Sequence, residues 1–229
     1  MTILGALELH IPDGLQDVTA LRLSRIGLSS LKLLLGLLLS NPALAFQIQK
    51  VTNQHLFISG ECSEVSQTVA ILKQADLNNG VADVIQITGG CRADIIGLLP
   101  SFYAEIEASG STYQESNCWG FAFAARKVYP FPRFLNSDEI SRVIESNHCQ
   151  ERAHPVPGAI GLVRTRPSKY VGGRLDQHAF IYLSPNLSFS KPRQGAPVEF
   201  EVGPLAGTGG PNYPPTNYDV DYYFCEGPY

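Results

Sequence analysis

The chain has 229 residues, of which 44% are hydrophobic and 17% are charged, and its formal net charge is −4. This length suits one sizeable domain or two small ones. The near-neutral charge balance provides no basic surface for nucleic acid, so we expect no nucleic-acid partner. The 21 glycines and 16 prolines favour many turns and substantial β structure.

Residues 1–45 are typical of a secretory signal peptide. Basic residues precede an apolar run over 33–39, which is followed by a break at Asn41-Pro42 and a small-residue triplet that ends at Ala45. The apolar run is much shorter than the roughly 20 residues of a membrane-spanning helix. We therefore expect cleavage between Ala45 and Phe46, no stable membrane span afterwards, and a secreted or periplasmic protein.

The segment 46–109 is predicted to be rich in β structure. Candidate strands lie at 55–62, 82–91 and 101–109, while 65–72 is compatible with either a strand or a helix. The phrase Ser-Gly-x-Cys near a strand end resembles bacterial immunoglobulin-like modules. The alternative is that the segment forms a β extension of the domain that follows.

Residues 110–229 predict a second domain that combines helices with a sheet. One helix is predicted to begin at Cys118 and to end before Tyr129-Pro130, because proline cannot continue it. A clearer helix is predicted at 136–147, with Asn136 or Ser137 as its N-cap. Strands are predicted at 159–165, 177–184, 188–192 and 198–202, and a last one at 222–225 is expected at the sheet edge.

All five cysteines lie after the predicted signal peptide, where oxidising conditions favour disulfides. Cys62 and Cys91 each end a predicted strand beside a glycine turn, so we predict a bridge between them. The helix-start position of Cys118 favours a free thiol, which leaves Cys149 and Cys225 to pair by elimination. The alternative, in which Cys118 is bridged and one of the last two is free, stays open.

A free cysteine at a helix start has the chemistry of a nucleophile. The thiolate is the reactive form, and a helix N-terminus or a nearby imidazole lowers the thiol pKa. Cys118 stands where a loop enters a helix, and His178 opens the second long strand of this domain. We predict Cys118 as the nucleophile and His178 as the general base, with Trp119 and Phe121 as core residues.

Three phrases carry a family resemblance. In order, they are Asn-Cys-Trp-Gly at 117–120, Pro-Gly-Ala-Ile-Gly-Leu-Val at 157–163, and His-Ala-Phe-Ile-Tyr-Leu at 178–183. They resemble the NlpC-type and CHAP-like cell-wall peptidases, over roughly residues 112–202. The resemblance implies an α+β papain-like domain over 110–229, with a helix packed on an antiparallel sheet. It also implies a cysteine peptidase or amidase without a cofactor, acting on peptidoglycan or another envelope peptide.

The chain departs from the family pattern at two positions. The usual Asp after Pro-Gly is Ala159, and the polar residue that orients the imidazole falls at Ser190. Asn186 is the other candidate for that orienting position. Two alternatives therefore stay open: a surface binding or structural module that has lost catalysis, and a protein-directed protease of the same fold.

Two further clusters have a less specific pattern. The residues His148, Cys149 and His154 are close in sequence, but their spacing fits no common zinc pattern, so we predict no metal site. A basic group before His178 either forms a solvated face or contacts an anionic substrate. Its members are Arg164, Arg166, Lys169 and Arg174.

Overall fold

A computed structural model describes residues 46–52, 54–104, 115–146, 148–167 and 173–229. The predicted signal peptide and the expected domain boundary at 109/110 lie outside these ranges. The described residues contain ten strands and three α-helices of at least eight residues. The strands are β1 (Gln47–Thr52), β2 (His55–Gly60), β3 (Val84–Ile87), β4 (Gly90–Asp94), β5 (Cys149–Arg152), β6 (Ile160–Thr165), β7 (Asp176–Ser184), β8 (Leu187–Ser190), β9 (Glu199–Val202) and β10 (Tyr218–Cys225). The helices are α1 (Cys62–Ala75), α2 (Cys118–Ala125) and α3 (Ser137–Ile144).

The strands form two antiparallel sheets, so the α+β class with antiparallel sheets is confirmed. The first sheet has the order β1-β2-β4-β3, and the second has the order β5-β10-β6-β7-β8-β9. Strand β10 pairs with β5 on one side and with β6 on the other. The prediction that the last strand lies at the sheet edge is therefore wrong, because β5, which the sequence pattern missed, covers it.

Residues 65–72, which the sequence predicted as either a strand or a helix, lie within helix α1. Its buried residues Val65, Val69 and Leu72 recur at helical spacing and pack on the first sheet. That sheet is thus covered by a helix, whereas an immunoglobulin-like module has two packed sheets. Residues 102–104 are helical, which corrects the strand predicted there.

One hydrophobic core extends across the expected boundary between 46–109 and 110–229. The ring of Phe121 in α2 packs edge-on against Phe102 at 5.9 Å and against Phe189 of β8 at 5.6 Å. The buried guanidinium of Arg126 donates hydrogen bonds to the carbonyl of Ala75 at 2.8 Å and to that of Cys225 at 2.9 Å. The two segments therefore form one body.

Both predicted disulfides are confirmed. Cys62 at the start of α1 is bonded to Cys91 of β4, and Cys149 of β5 is bonded to Cys225, its direct partner on β10. Cys118 is free and buried. Two disulfides fit an oxidising, extracellular environment. Among the described residues, no helix has both the length and the apolar character needed to cross a membrane.

Candidate active site

Cys118 occupies the first position of a helix whose start is fixed from both sides. The Asn117 side chain accepts a hydrogen bond from the Gly120 amide at 3.0 Å, which is the geometry of an N-cap. Its amide nitrogen also donates to the carbonyl of Leu135 at 2.7 Å. Both contacts are buried, so Asn117 holds the start of α2 against the segment that leads to α3.

Gly120 gives the backbone of that segment room to approach the helix. A Cβ atom at this position would overlap the carbonyl oxygen of Arg133. Only glycine fits so close a backbone contact. The position of the helix start at Cys118 therefore depends on Gly120, two residues further along.

We expect Gly120→Ala to lower the free energy of unfolding by about 3 kcal/mol, because the clash is with backbone and not with a flexible side chain. Chemical denaturation followed by tryptophan fluorescence would measure it. Gly173→Ala is the control, since a Cβ there meets no heavy atom within 4 Å. Equal stability of both variants would show that the segment at Arg133 yields easily.

His178 lies in β7, the strand on which α2 packs. Its side chain is only 4% exposed, and that of Cys118 is only 7% exposed. The thiol also lies beside the backbone N–H of Ala179, which favours the thiolate. The structure thus places Cys118 against the strand at the residue that follows His178.

The imidazole is held on one nitrogen only. Its Nε2 lies 3.2 Å from the hydroxyl oxygen of Ser190, because the β7–β8 hairpin folds these residues alongside each other. Its Nδ1 is buried and has no hydrogen-bond partner among the described residues. Asn186 lies in the turn of that hairpin, roughly 20 Å along the strand from His178. Of the two sequence candidates for the orienting position, Ser190 is the one that contacts the imidazole.

Burial determines the protonation of both groups. It raises the pKa of Cys118 to about 11, although the backbone N–H groups of Ala179, Trp119 and Cys118 itself act in the opposite direction. Burial also lowers the pKa of His178 to about 4. The expectation that the helix start lowers the pKa of the Cys118 thiol below its usual value is wrong. Desolvation raises this pKa by more than the backbone N–H groups lower it. At neutral pH the resting state is therefore a neutral thiol and a neutral imidazole, and Nδ1 of the imidazole makes no hydrogen bond with the thiol.

This resting state predicts how alkylation of Cys118 varies with pH. Since the thiolate is the reactive form and its pKa is about 11, the rate with iodoacetamide should rise about tenfold per pH unit from pH 7 to 10. Mass spectrometry of the native protein, with the two disulfides intact, would measure this rate. A rate that is already constant above pH 5 would contradict it, because that profile belongs to a preformed thiolate–imidazolium pair.

The basic group before His178 is engaged in ion pairs. Arg164 donates to Asp176 at 2.8 Å and to Asp221 at 2.5 Å. Arg174 donates to the same Asp221 at 3.0 Å, and Arg166 donates to Asp219 at 2.8 Å. These carboxylates offset the positive charges, which favours the interpretation as a solvated face; Lys169 lies outside the described residues.

Cys149 is consumed by its disulfide, so its sulfur is not available as a ligand beside His148 and His154. The described part of the chain holds no group of three or more metal-binding side chains.

The sequence pattern gave no sign of Tyr213, whose ring stacks on the imidazole of His178. The ring centroids are 5.2 Å apart and the ring planes differ by 7°. Tyr213 stands in the tail over 203–217, which is rich in glycine and proline and therefore reads as an unspecific loop. Its neighbours Asn212 and Pro214 are turn formers, which indicate a loop and not a contact with His178.

Comparisons of the chain with protein-family models, with curated proteins and with solved structures found no match. The interpretation of the site therefore rests on the geometry of its own residues.

Proposed function

We propose that the chain is a papain-like cysteine hydrolase, a secreted peptidase or amidase that cleaves amide bonds in peptidoglycan or a related envelope polymer. One observation carries the proposal. The only cysteine outside the disulfides stands at a capped helix start, against a strand where His178 has one nitrogen bonded to Ser190 and the other without a partner. A nucleophile, a base and an orienting group in this arrangement suit acyl transfer.

The chemistry begins from the neutral pair. In the tautomer that carries its proton on Nε2, His178 donates to Ser190 and presents the lone pair of Nδ1. As Sγ of Cys118 attacks the amide carbonyl, the thiol proton moves to Nδ1. Because the two pKa values are about 11 and about 4, this transfer accompanies bond formation and does not precede it.

The rest of the cycle uses the same groups. The backbone N–H of Cys118, at the helix start, would donate to the developing oxyanion. The proton on Nδ1 then passes to the leaving amine, which departs and leaves a thioester on Cys118. Water attacks the thioester as His178 takes its proton, and the thiol is released. No step calls for a cofactor.

The substrate class comes from the resemblance of three phrases to cell-wall peptidases, and two disulfides are consistent with work outside the cytoplasm. A protein-directed protease would use the same pair, and only the substrate would differ. The proposed partner is therefore an envelope peptide.

Turnover on purified peptidoglycan fragments tests the proposal. Wild type should release new amino groups, and Cys118→Ala should release none while keeping the wild-type unfolding temperature, because alanine fits the buried site. Ser190→Ala should retain turnover within about tenfold, since one neutral hydrogen bond is worth roughly 1 kcal/mol. Equal turnover in wild type and Cys118→Ala would reject the mechanism.

The second candidate is a binding or structural module that has lost catalysis. The burial of both Cys118 and His178 favours it, because Cys118 is only 7% exposed and offers little surface to a substrate carbonyl. This module would bind peptidoglycan fragments without cleaving them, and Cys118→Ala would bind equally well. Pull-down on insoluble peptidoglycan beside the turnover assay separates the two candidates.

A further inference from the structure

The imidazole of His178 is stacked against aromatic rings. Tyr213 stacks on the imidazole at 5.2 Å with an interplanar angle of 7°. Phe180, two residues along β7, forms a second and more distant stack at 6.5 Å and 18°. The imidazole thus lies parallel to both rings, which restricts rotation about its own side-chain bonds.

The hydrogen bond to Ser190 does not fix the imidazole by itself. A hydroxyl group rotates to follow its partner, and a single bond at 3.2 Å leaves the ring free to turn about the line that joins the two atoms. Turning about that line changes the direction in which Nδ1 faces. A flat group against the face of the ring removes this freedom, because any turn would lose the stacking contact.

The loop that carries Tyr213 is anchored to the sheet. The Tyr213 amide donates to the carbonyl of Gly210 at 3.2 Å, and Gly210 has a positive φ of 90°, which closes a tight turn. At the other end of the loop, the amide of Arg166 in the segment after β6 donates to the carbonyl of Asn217 at 3.1 Å. Tyr218 packs edge-on against the Tyr213 ring at 5.3 Å. These contacts hold the loop in place, so the Tyr213 ring has a fixed position against the imidazole.

Tyr213 is also close to the nucleophile. Burial raises the pKa of the Tyr213 hydroxyl first, and the negative charge that Cys118 would carry raises it further. Tyr213 therefore interacts with both residues of the proposed pair. It interacts with Cys118 electrostatically and with His178 through ring stacking.

We infer that Tyr213 is a positioning residue, whose ring holds the imidazole of His178 in the plane that keeps Nε2 on Ser190 and leaves Nδ1 without a partner, available for the thiol proton. The inference rests on the proposed function and deepens it. In this role the face of the Tyr213 ring orients the imidazole, and the Tyr213 hydroxyl contributes little. Stacking on a flat partner then supplies the orientation that Ser190, a weak orienting group, does not supply alone.

Two substitutions at Tyr213 separate the ring from the hydroxyl. Tyr213→Phe keeps the stacking surface, so its kcat should stay within about threefold of wild type. Tyr213→Leu removes the flat surface, so its kcat should fall by about 10- to 100-fold while KM changes by less than about threefold. Tyr222→Leu is the matched control: Tyr222 belongs to the same aromatic cluster, where it packs on Phe180 and Tyr182.

A second measurement does not depend on turnover. Proton–nitrogen correlation spectra of the His178 ring should show one tautomer, protonated at Nε2, in wild type, Tyr213→Phe and Tyr222→Leu. In Tyr213→Leu they should show both tautomers or an averaged signal. If Tyr213→Leu fails to fold, Tyr213→Met takes its place, since it keeps the volume without a flat face.

The outcomes distinguish the two proposals. Absence of wild-type turnover rejects the proposed function, while the ring spectra still decide the role of Tyr213. An unchanged His178 spectrum in Tyr213→Leu overturns the inference. So does a change in KM alone, which would mean that Tyr213 contacts substrate, or an equal loss of kcat in Tyr222→Leu, which would mean a general loss of stability.

Discussion

Replacing His178 with alanine is expected to lower turnover on peptidoglycan fragments by about 10⁴-fold, as for a base that acts in one unit with its nucleophile. In the folded chain the thiol of Cys118 has a pKa of about 11, so almost no thiolate exists at neutral pH without help. The imidazole of His178 is the base of the proposed mechanism, and its buried Nδ1 has no hydrogen-bond partner among the described residues. Removing it leaves the attack without an acceptor for the proton.

The pair should also be strongly non-additive. Because either single substitution already removes the proton transfer, the double variant of Cys118→Ala and His178→Ala should be no slower than Cys118→Ala alone. His154→Ala is the control, since this histidine is exposed and remote from β7 in sequence. A loss of less than tenfold in His178→Ala would show that another group takes the proton.

The second large effect concerns stability. Replacing Cys149 and Cys225 together with alanine should lower the free energy of unfolding by about 4.5 kcal/mol, and replacing Cys62 and Cys91 should lower it by about 3.6 kcal/mol. The chain-entropy account gives this order because the bridges close sequence separations of 76 and 29 residues, and the longer loop loses more freedom in the unfolded chain.

Urea denaturation of the two double variants, each beside wild type under non-reducing conditions, measures the difference. The Cys149–Cys225 bridge also fastens β5 to β10, so its loss should expose the edge of the second sheet and raise proteolysis near Cys149. If loss of the Cys62–Cys91 bridge lowers the free energy of unfolding more than loss of the Cys149–Cys225 bridge, native-state packing around α1 contributes more than loop entropy. Each result is read from the midpoint and the slope together.

The parts of the fold that could be predicted are those with a local cause. The helix at Asn136 has a cap whose side chain accepts from Glu139, while Glu139 reaches back to the cap amide, and both residues are visible in the sequence. The strand with His178 is an apolar run between turns. The bridge from Cys62 to Cys91 followed from two predicted strand ends beside glycine turns, 29 residues apart. For the helix and the strand the signal lies within a dozen residues, and for the bridge it lies in the local surroundings of each cysteine.

The parts that failed depend on tertiary contacts. The segment 65–72 carries β-branched residues, so the sequence left strand and helix open, and its packing on the first sheet favours the helix. Strand β5 has mostly exposed polar residues and exists because β10 pairs with it. The neutral state of Cys118 depends on burial from every side, which a helix-start argument does not include. Tyr213 reaches His178 from 35 positions away in the chain, through a loop with no repetitive pattern.

The buried, protonated state of Cys118 affects how the chain withstands oxidising surroundings. With a pKa of about 11, the thiolate fraction at neutral pH is about 10⁻⁴, and both oxidation and thiol–disulfide exchange proceed through the thiolate. The folded chain therefore keeps its odd cysteine reduced in surroundings that oxidise the other four. An unfolded chain has no such protection, so mispaired bridges through Cys118 should form during maturation and not afterwards.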